Sequence, residues 1–201
     1  MIMTNDTLLI FARNPVYGKV KTRLAAAIGN DKALLVYKAL LRHTAEVTKS
    51  VNADRIVYYS DFITDSDVWD DTHHKAVQQG ADLGERMSNA FNETFKGGTK
   101  KAVIIGTDCY DLTHAIITDA FTALNNYDVV IGPALDGGYY LLGMQTYRPQ
   151  LFDNMKWSTD TVSKETLSRC ADLGLSHFLL PVLSDIDEQK DLVNTNILNR
   201  S

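Results

Sequence analysis

Short apolar runs alternate along this chain with longer segments of helical periodicity, and this alternation limits the fold more than any other feature. The runs have the length and composition of buried strands. They cover residues 8–12, 55–60, 102–106, 128–132, 139–144 and 176–183, with a weaker candidate at 75–79. Strands that alternate with helices of ten or more residues favour a mainly parallel sheet covered on both faces. We therefore predict an α/β fold, a single three-layer α/β/α domain over residues 1–201 with a mainly parallel mixed sheet.

Helical periodicity predicts helices over 31–51, 82–96, 113–124 and 160–173, and a closing helix after Asp187. The second of these has the clearest boundaries. Asp82 can cap its first turn, Glu85 completes a pattern similar to a capping box, and two glycines follow its end. One face of this helix is apolar and carries Leu83, Met87, Ala90, Phe91 and Phe95.

A cationic loop follows the first strand. Residues 13–23 contain four cations, Arg13, Lys19, Lys21 and Arg23, and no Asp or Glu occurs from residue 13 to residue 30. The chain has 20 Lys and Arg in 201 residues, so a window of this length should hold about one. Pro15 and Gly18 break the regular structure there. The pattern is typical either of a solvated basic turn or of a phosphate site, and its place after the first strand of an α/β sheet favours phosphate.

Composition limits the partners and the compartment. The formal net charge is −5, which argues against a nucleic-acid binder or a membrane-surface protein. The two cysteines have no spacing pattern, which favours a reducing compartment. No apolar run has membrane-spanning length, and no signal peptide is evident. We expect a cytoplasmic protein with neither nucleic-acid nor membrane partners, and leave a homodimer open.

The segment after the third strong apolar run is a candidate metal site. A carboxylate just beyond a buried strand is well placed to hold Mg²⁺, which prefers oxygen ligands and shares them with substrate phosphates. Asp108 is the first candidate, whereas Asp111 is expected to be the N-cap of the next helix. Cys109 could be a nucleophile, but a small buried residue is the favoured interpretation.

Two further acidic sites follow strand ends. Asp136 precedes Gly137 and Gly138, and this triplet allows either a close ligand approach or a hairpin turn. Asp185 and Asp187 flank an isoleucine, and by themselves they indicate a helix cap. Together with Asp108 and a phosphate loop, a metal role for Asp187 becomes credible.

Six ordered motifs resemble those of a bacterial family provisionally named nucleotide-diphospho-sugar transferases, which has the GT-A fold. The family is generally labelled glycosyltransferase and was first described as a domain of unknown function. The motifs span nearly the whole chain and occupy residues 11–24, 79–87, 106–109, 132–143, 157–159 and 185–187. More distantly, residues 21–24 resemble 2-phospholactate guanylyltransferases, and residues 187–192 resemble sugar-acid cytidylyltransferases, whose leading aspartate is a metal ligand. Tyr110 departs from the proline usual at its position.

The resemblance implies a nucleotide or nucleotide-sugar substrate, a small-molecule acceptor, and Mg²⁺ or Mn²⁺ held by Asp108 and Asp187. It implies that the nucleotide and its phosphates contact Arg13, Gly18, Lys19, Lys21, Arg23, Gln79, Gly80 and Thr107. It implies that the sugar or acceptor contacts Asp136, Gly137, Gly138, Trp157 and Ser158. Lys21, Arg23 and Asp136 are the expected catalytic residues.

Three functions follow as expectations. Glycosyl transfer from an NDP-sugar comes first, because the family label favours it. Nucleotidyl transfer from an NTP to a phosphorylated small molecule, with release of pyrophosphate, is the alternative that the basic loop favours. A non-catalytic nucleotide-binding regulatory module is the alternative from another class.

Overall fold

Strands and helices alternate through the computed structural model, which describes residues 5–64, 67–69, 71–193, 195 and 197. Within those residues the strands are β1 (Asp6–Ala12), β2 (Asp54–Tyr59), β3 (His73–Val77), β4 (Lys101–Ile105), β5 (Val129–Pro133), β6 (Tyr139–Met144) and β7 (His177–Leu179). The α-helices are α1 (Thr22–Ile28), α2 (Asn30–Thr48), α3 (Leu83–Lys96), α4 (His114–Ala123) and α5 (Val162–Asp172). Short 3₁₀ turns cover Pro149–Leu151 and Gln189–Leu192.

The described strands form one mixed sheet in the order β3-β2-β1-β4-β6-β5-β7. β6 runs antiparallel to both of its neighbours, β4 and β5, and the other neighbouring pairs are parallel. Ile10, at the centre of β1, is in register with Val57 of β2 and Ile105 of β4. The predicted α/β fold with a mainly parallel mixed sheet is confirmed.

Apolar residues of the central strands are buried on both faces of the sheet. Successive strand residues point to opposite faces. Leu8 and Ile10 therefore join one core cluster with residues of α2 and α4, and Leu9 joins another with residues of α3 and α5. All three side chains have no exposed surface, and each such burial stabilises the fold by about 1.5–3 kcal/mol. These two clusters account for the three-layer arrangement.

One edge of the sheet collects the loops that matter for function. Because β1, β2, β4 and β5 are parallel, the segments after Ala12, Tyr59, Ile105 and Pro133 all emerge at this edge. The antiparallel strand β6 begins at the same edge. Open α/β sheets bind ligands at such carboxyl ends.

Three of the differences between the predicted and observed elements have a local cause or change the type of element. The helix α1 was not predicted, because it begins at a left-handed residue, Lys21, with no side-chain cap to mark its start. The last strand is shorter than predicted and ends before Pro181, which has no N–H to donate to a ladder. The predicted closing helix is the 3₁₀ turn Gln189–Leu192.

Two predicted helix starts have different outcomes. Asp82 caps α3 as predicted: its carboxylate accepts a hydrogen bond from the backbone N–H of Glu85 at 2.9 Å. The prediction that Asp111 caps the following helix is wrong. Thr113 is the N-cap of α4, and its hydroxyl accepts from the N–H of Ile116 at 3.3 Å. A threonine two residues nearer to the helix reaches the free N–H groups of its first turn.

No helix among the described residues is both long enough and apolar enough to cross a lipid bilayer.

Candidate active site

A cleft of about 1,120 Å³ opens at the carboxyl edge of the sheet. Its walls come from the loop between β1 and α1, the ends of β2, β3 and β4, the first turns of α3, the turn between β5 and β6, and the segment 157–160. The cleft therefore collects residues that are far apart in the chain.

Lys21 joins the two aspartates that the sequence singled out as metal ligands. Its Nζ atom lies 2.6 Å from Asp108 Oδ1 and 2.9 Å from Asp187 Oδ1. The Lys21 side chain is 4% exposed, whereas those of Asp108 and Asp187 are 44% and 34% exposed. Burial lowers the pKa of Lys21, but the two carboxylates outweigh it and raise that pKa above its usual value. Burial raises the pKa of Asp187, and the Lys21 ammonium overcomes this effect and lowers it.

The backbone of Lys21 is left-handed, with φ 49° and ψ 46°. A non-glycine residue in this conformation costs about 1–2 kcal/mol. Its carbonyl accepts the first hydrogen bond of α1, from Ala25 N at 2.8 Å. The same helix carries Arg23, whose Nη2 lies 2.9 Å from Asp187 Oδ2 with the side chain 70% exposed. This turn therefore aims a buried cation and an exposed cation at one carboxylate.

Arg13 and Lys19 line the cleft and are exposed to solvent. In the part of the chain that the structure describes, neither forms an ion pair with a carboxylate. Gly18, between them, has φ 70°, which permits the tight turn. Two cations of the basic loop are thus available to an anion in the cleft.

Tyr37 of α2 connects the ends of β1 and β4 from beneath the cleft. Its hydroxyl accepts from Arg13 N at 2.8 Å, donates to Arg13 O at 3.0 Å and lies 3.2 Å from Thr107 Oγ1. Burial, followed by the Asp108 charge, raises the pKa of Tyr37. The sequence analysis missed this residue because it falls on the apolar face of α2.

Asn14 organises the next wall of the cleft. Its side chain is buried, its Nδ2 donates to Phe62 O at 2.8 Å, and its Oδ1 accepts from Asp61 N at 3.0 Å and Phe62 N at 3.3 Å. Its backbone N–H donates to Ser60 Oγ at 3.1 Å. The loop after β2 therefore takes its shape from an asparagine in the loop after β1.

The chain returns to the cleft after β7 through backbone contacts. Cys109 forms an antiparallel bridge with Asp185, and Ile186 N donates to Asp108 O at 2.9 Å. These contacts place Asp187 beside Asp108. Cys109 is buried, and burial raises the pKa of its thiol to about 12. The interpretation of Cys109 as a small buried residue is confirmed.

Carboxylates are concentrated at this point of the cleft. Burial, followed by the neighbouring charges of Asp108 and Asp136, raises the pKa of Asp185 to about 7, although Lys21 acts in the opposite direction. A divalent cation would relieve this repulsion. No group of three metal-binding side chains occurs among the described residues. Asp108 and Asp187 would therefore hold Mg²⁺ together with waters and substrate phosphates, which is how Mg²⁺ is usually bound.

The Asp136–Gly138 segment is the turn of the β5–β6 hairpin, and it also borders the cleft through Asp136 and Gly138. Gly138 N donates to Asp136 Oδ1 at 2.9 Å, which fixes the turn. Gly137 has φ 90°, and a Cβ there would lie 2.0 Å from Asp160 O. The glycine at 137 is required by packing, and Gly137 is not among the lining residues.

The remaining predicted site residues divide between the cleft wall and the surrounding backbone. Thr107, Trp157 and Ser158 line the cleft, and Ser158 is left-handed with φ 61°. Gln79 and Gly80 are not among its lining residues. Their carbonyls instead accept hydrogen bonds from Asn89 Nδ2 at 2.9 Å and Arg86 Nε at 3.1 Å.

Gln78 and Arg86 take the place in the wall that was predicted for Gln79 and Gly80. The amide of Gln78 donates to Tyr58 O at 3.0 Å, and its Oε1 accepts from Arg86 Nη1 at 3.4 Å. Arg86 is half-buried and forms no ion pair with a described carboxylate. The sequence analysis selected the neighbouring residue, because Gln78 and Gln79 are adjacent and only the strand register shows which of them faces the cleft.

Comparison with solved structures supports the fold and identifies one relative by sequence. A protein from Desulfovibrio desulfuricans G20, with the provisional name nucleotide-diphospho-sugar transferase, is 33% identical. The match covers 96% of this chain and 88% of that chain, with a TM-score of 0.90.

More distant structures share the fold at 12% identity. The 4-diphosphocytidyl-2C-methyl-D-erythritol synthase of Anaerococcus prevotii has a TM-score of 0.61, with 98% and 97% of the two chains covered. The inositol-1-phosphate CTP transferase of T. maritima has a TM-score of 0.56, with 98% and 94% covered. No protein of curated function matches the sequence significantly.

A family model also matches residues 43–159, more than half of the chain. Together with the relative from D. desulfuricans, this match confirms the resemblance found in the sequence. The chain belongs to the bacterial family described as "Uncharacterized protein conserved in bacteria (DUF2064)".

Proposed function

We propose that this protein is a divalent-metal-dependent transferase that acts on a nucleotide substrate, and that its reaction is nucleotidyl transfer. The observation that supports this function is the contact of Lys21 with both Asp108 and Asp187 beside the basic loop. The cleft is lined by Asp108 and by three cations of the basic loop: Arg13, Lys19 and Arg23. Lys21 and Asp187 are not lining residues, and they adjoin the cleft through their contacts with Asp108 and Arg23. This is the arrangement that a metal-chelated polyphosphate requires.

Charge balance favours a triphosphate over a diphosphate. A nucleoside triphosphate with one Mg²⁺ keeps about two negative charges, whereas the diphosphate of a sugar nucleotide with one Mg²⁺ is close to neutral. Arg13 and Lys19 lie in the cleft without carboxylate partners among the described residues. Two available cations match the charge that remains on the chelated triphosphate, and they would stabilise pyrophosphate as it leaves.

The reaction is a substitution at the α-phosphorus. An oxygen of the acceptor forms a bond to this phosphorus, the bond to the bridging oxygen breaks, and the electron pair leaves with pyrophosphate. The metal held by Asp108 and Asp187 would neutralise the phosphate oxygens when it is bound. Lys21, Arg23, Arg13 and Lys19 orient and neutralise the departing group.

The lining of the cleft can be divided between the two substrates. Strand ends are spaced by about 4.8 Å across a sheet, so the ends of β2 and β3 lie within the length of a nucleoside from the basic loop. We place the nucleoside there, beside Gln78 and Arg86. The acceptor then occupies the part of the cleft formed by Asp136, Gly138, Trp157 and Ser158.

Glycosyl transfer from an NDP-sugar is the second candidate, and the sequence analysis had placed it first. The name of the D. desulfuricans relative favours it. Asp136 is exposed in the cleft and could accept the proton of an acceptor hydroxyl. In this reaction the nucleoside diphosphate leaves, so its products differ from those of nucleotidyl transfer.

A thermal-shift screen of nucleotides and NDP-sugars, with and without Mg²⁺ or Mn²⁺, tests the function. Ligand at a hundred times Kd should stabilise the protein by about 2.7 kcal/mol. Turnover of the binding compounds is then scored for pyrophosphate or for nucleoside diphosphate.

Asp108→Asn should abolish the metal-dependent part of binding. Asp111→Asn is the matched control, because Asp111 is exposed and outside the cleft. Binding that is indifferent to metal and survives Asp108→Asn would instead indicate a non-catalytic nucleotide-binding module.

A further inference from the structure

The ammonium group of Lys21 occupies the position that the proposed function assigns to a metal ion. It contacts the Oδ1 atom of Asp108 at 2.6 Å and the Oδ1 atom of Asp187 at 2.9 Å. The side chain is 4% exposed, so this contact lies beneath the surface of the cleft. A cation supplied by the protein itself thus already bridges the two carboxylates.

A metal ion and this ammonium cannot use the same two oxygens at once. Mg²⁺ binds carboxylate oxygens at about 2.0–2.1 Å, and it would then lie against a positive charge that donates to the same atoms. Removing Lys21 from the carboxylates without a new partner would leave a buried ammonium unpaired, which is costly. A metal ion that arrives without a partner for Lys21 therefore meets both repulsion and this penalty.

For a metal ion to reach the two carboxylates, the ammonium must move, and it can do so by side-chain rotation while the backbone stays in place. The Lys21 carbonyl is held by Ala25 N at 2.8 Å, at the start of α1. Four methylene groups separate that backbone from the charge, so side-chain rotation can carry the ammonium over several ångströms. Arg13 and Lys19 border the cleft on the same loop, where phosphates would bind. A phosphate oxygen there is the new partner that Lys21 needs.

We propose that Lys21 is a resident counter-ion that keeps divalent metal out of the site until a nucleotide arrives. The phosphates draw its ammonium away from Asp108 and Asp187, and the metal enters with them. The protein then binds metal and nucleotide as a unit, and a metal ion does not hold the site in their absence. This inference rests on the proposed metal role of the two aspartates and does not depend on which transfer reaction follows.

Mn²⁺ titrations without nucleotide, followed by the electron paramagnetic resonance signal of free Mn²⁺, test the proposal. The wild-type protein should bind Mn²⁺ weakly, and Lys21→Met should bind at least tenfold more tightly. Lys19→Met is the matched control, because it makes the same charge change in the same loop at a residue that contacts neither aspartate. It should change Mn²⁺ affinity less than about threefold. Adding Asp108→Asn to Lys21→Met should abolish the gained binding.

A second variant covers the case in which Lys21→Met fails to fold. Lys21→Arg keeps a cation on the carboxylates, so it should still bind Mn²⁺ weakly while melting cooperatively. Thermal shifts give an independent readout. Mn²⁺ without nucleotide should raise the melting temperature of Lys21→Met but not that of the wild type. When Mn²⁺ is tested with each common nucleoside triphosphate in turn, at least one combination of metal and nucleotide should stabilise the wild type.

Two results would overturn the proposal. One is wild-type affinity for Mn²⁺ as high as that of Lys21→Met, and the other is an equal gain in Lys19→Met. Failure of the proposed function has a different signature. Metal-dependent turnover without a gain in Lys21→Met defeats the inference and leaves the function intact. A gain in Lys21→Met without turnover of any nucleotide supports the inference and contradicts the function.

Discussion

Trp157 packs its indole against Gly84 so closely that no side chain fits between them. A Cβ added to Gly84 would lie 2.1 Å from Trp157 Nε1 and 2.3 Å from Cε2. Gly84 is the second residue of α3, and Trp157 lines the cleft. The position of Trp157, and with it one wall of the proposed acceptor site, therefore depends on the absence of a side chain at residue 84.

Gly84→Ala should therefore destabilise the protein. Alanine is the better helix former by up to about 1 kcal/mol, but displacing a packed indole costs about 1–3 kcal/mol. Urea unfolding measures the net effect. In a Trp157→Ala background the clash is absent, so the same Gly84→Ala change should become neutral or stabilising. Stabilisation by Gly84→Ala in the wild type would contradict the packing described here.

Tyr37→Phe should cost about 1–3 kcal/mol, because it leaves buried polar groups of Arg13 and Thr107 without their partner. The same change should lower kcat, since it frees the strand ends that carry the basic loop and Asp108. Tyr139→Phe is the control for stability, because the Tyr139 hydroxyl has only a weak contact with Met87 Sδ at 3.8 Å. Equal losses in the two variants would show that the Tyr37 hydroxyl has no special role.

Arg13→Gln and Lys19→Gln should each weaken nucleoside triphosphate binding about tenfold, because a charge-assisted hydrogen bond contributes about 1.5–3 kcal/mol. The free nucleoside should bind these variants and the wild type equally well. Isothermal titration with both ligands makes the comparison. If the nucleoside loses as much affinity as the triphosphate, these cations do not contact phosphate.

Asp128 should make stability depend on acid pH. Ser176 donates to its Oδ2 from Oγ at 2.6 Å and from N at 2.9 Å, and these bonds lower the pKa of Asp128. A carboxyl pKa that is lower in the folded state stabilises the protein above the unfolded value of about 3.9, and this contribution is lost as pH falls through the folded value.

Asp128→Asn should thus be less stable than the wild type by about 1 kcal/mol at pH 7, and the two should converge below about pH 4. Denaturant unfolding across pH measures this. Ser176→Ala, which removes the donor hydroxyl, should make stability depend less on pH in the same range. If the difference in unfolding free energy between Asp128→Asn and the wild type were unchanged at pH 3, the Asp128 carboxylate would not be its cause.

The parts of this fold that could be predicted follow from local patterns. Strands β1, β4, β5 and β6 are short apolar runs buried on both faces, and the cap of α3 is a local side-chain contact at Asp82. Knowing which strands are parallel was enough to expect that Asp108 and the basic loop lie at one edge. Both inferences need no knowledge of the packing between distant segments.

The parts that could not be predicted depend on such packing. In the sequence, Tyr37 cannot be distinguished from an ordinary core residue. Its role is evident only when the ends of β1 and β4 are seen to contact its hydroxyl. Asn14 is adjacent to a proline in a loop, and its role requires the backbone of residues 60–62. Gln78 differs from Gln79 by one position in β-strand register, which a sequence pattern does not resolve. The left-handed Lys21 leaves α1 without a recognisable start.

The late position of Asp187 in the chain has a consequence for synthesis. The contact of Lys21 with Asp187 Oδ1 depends on the pairing of the segment after β7 with the residues that follow β4. During translation, all seven described strands of the sheet are synthesised before this carboxylate. Until Asp187 is synthesised, the basic loop therefore has Asp108 as a partner for Lys21 but lacks the second carboxylate.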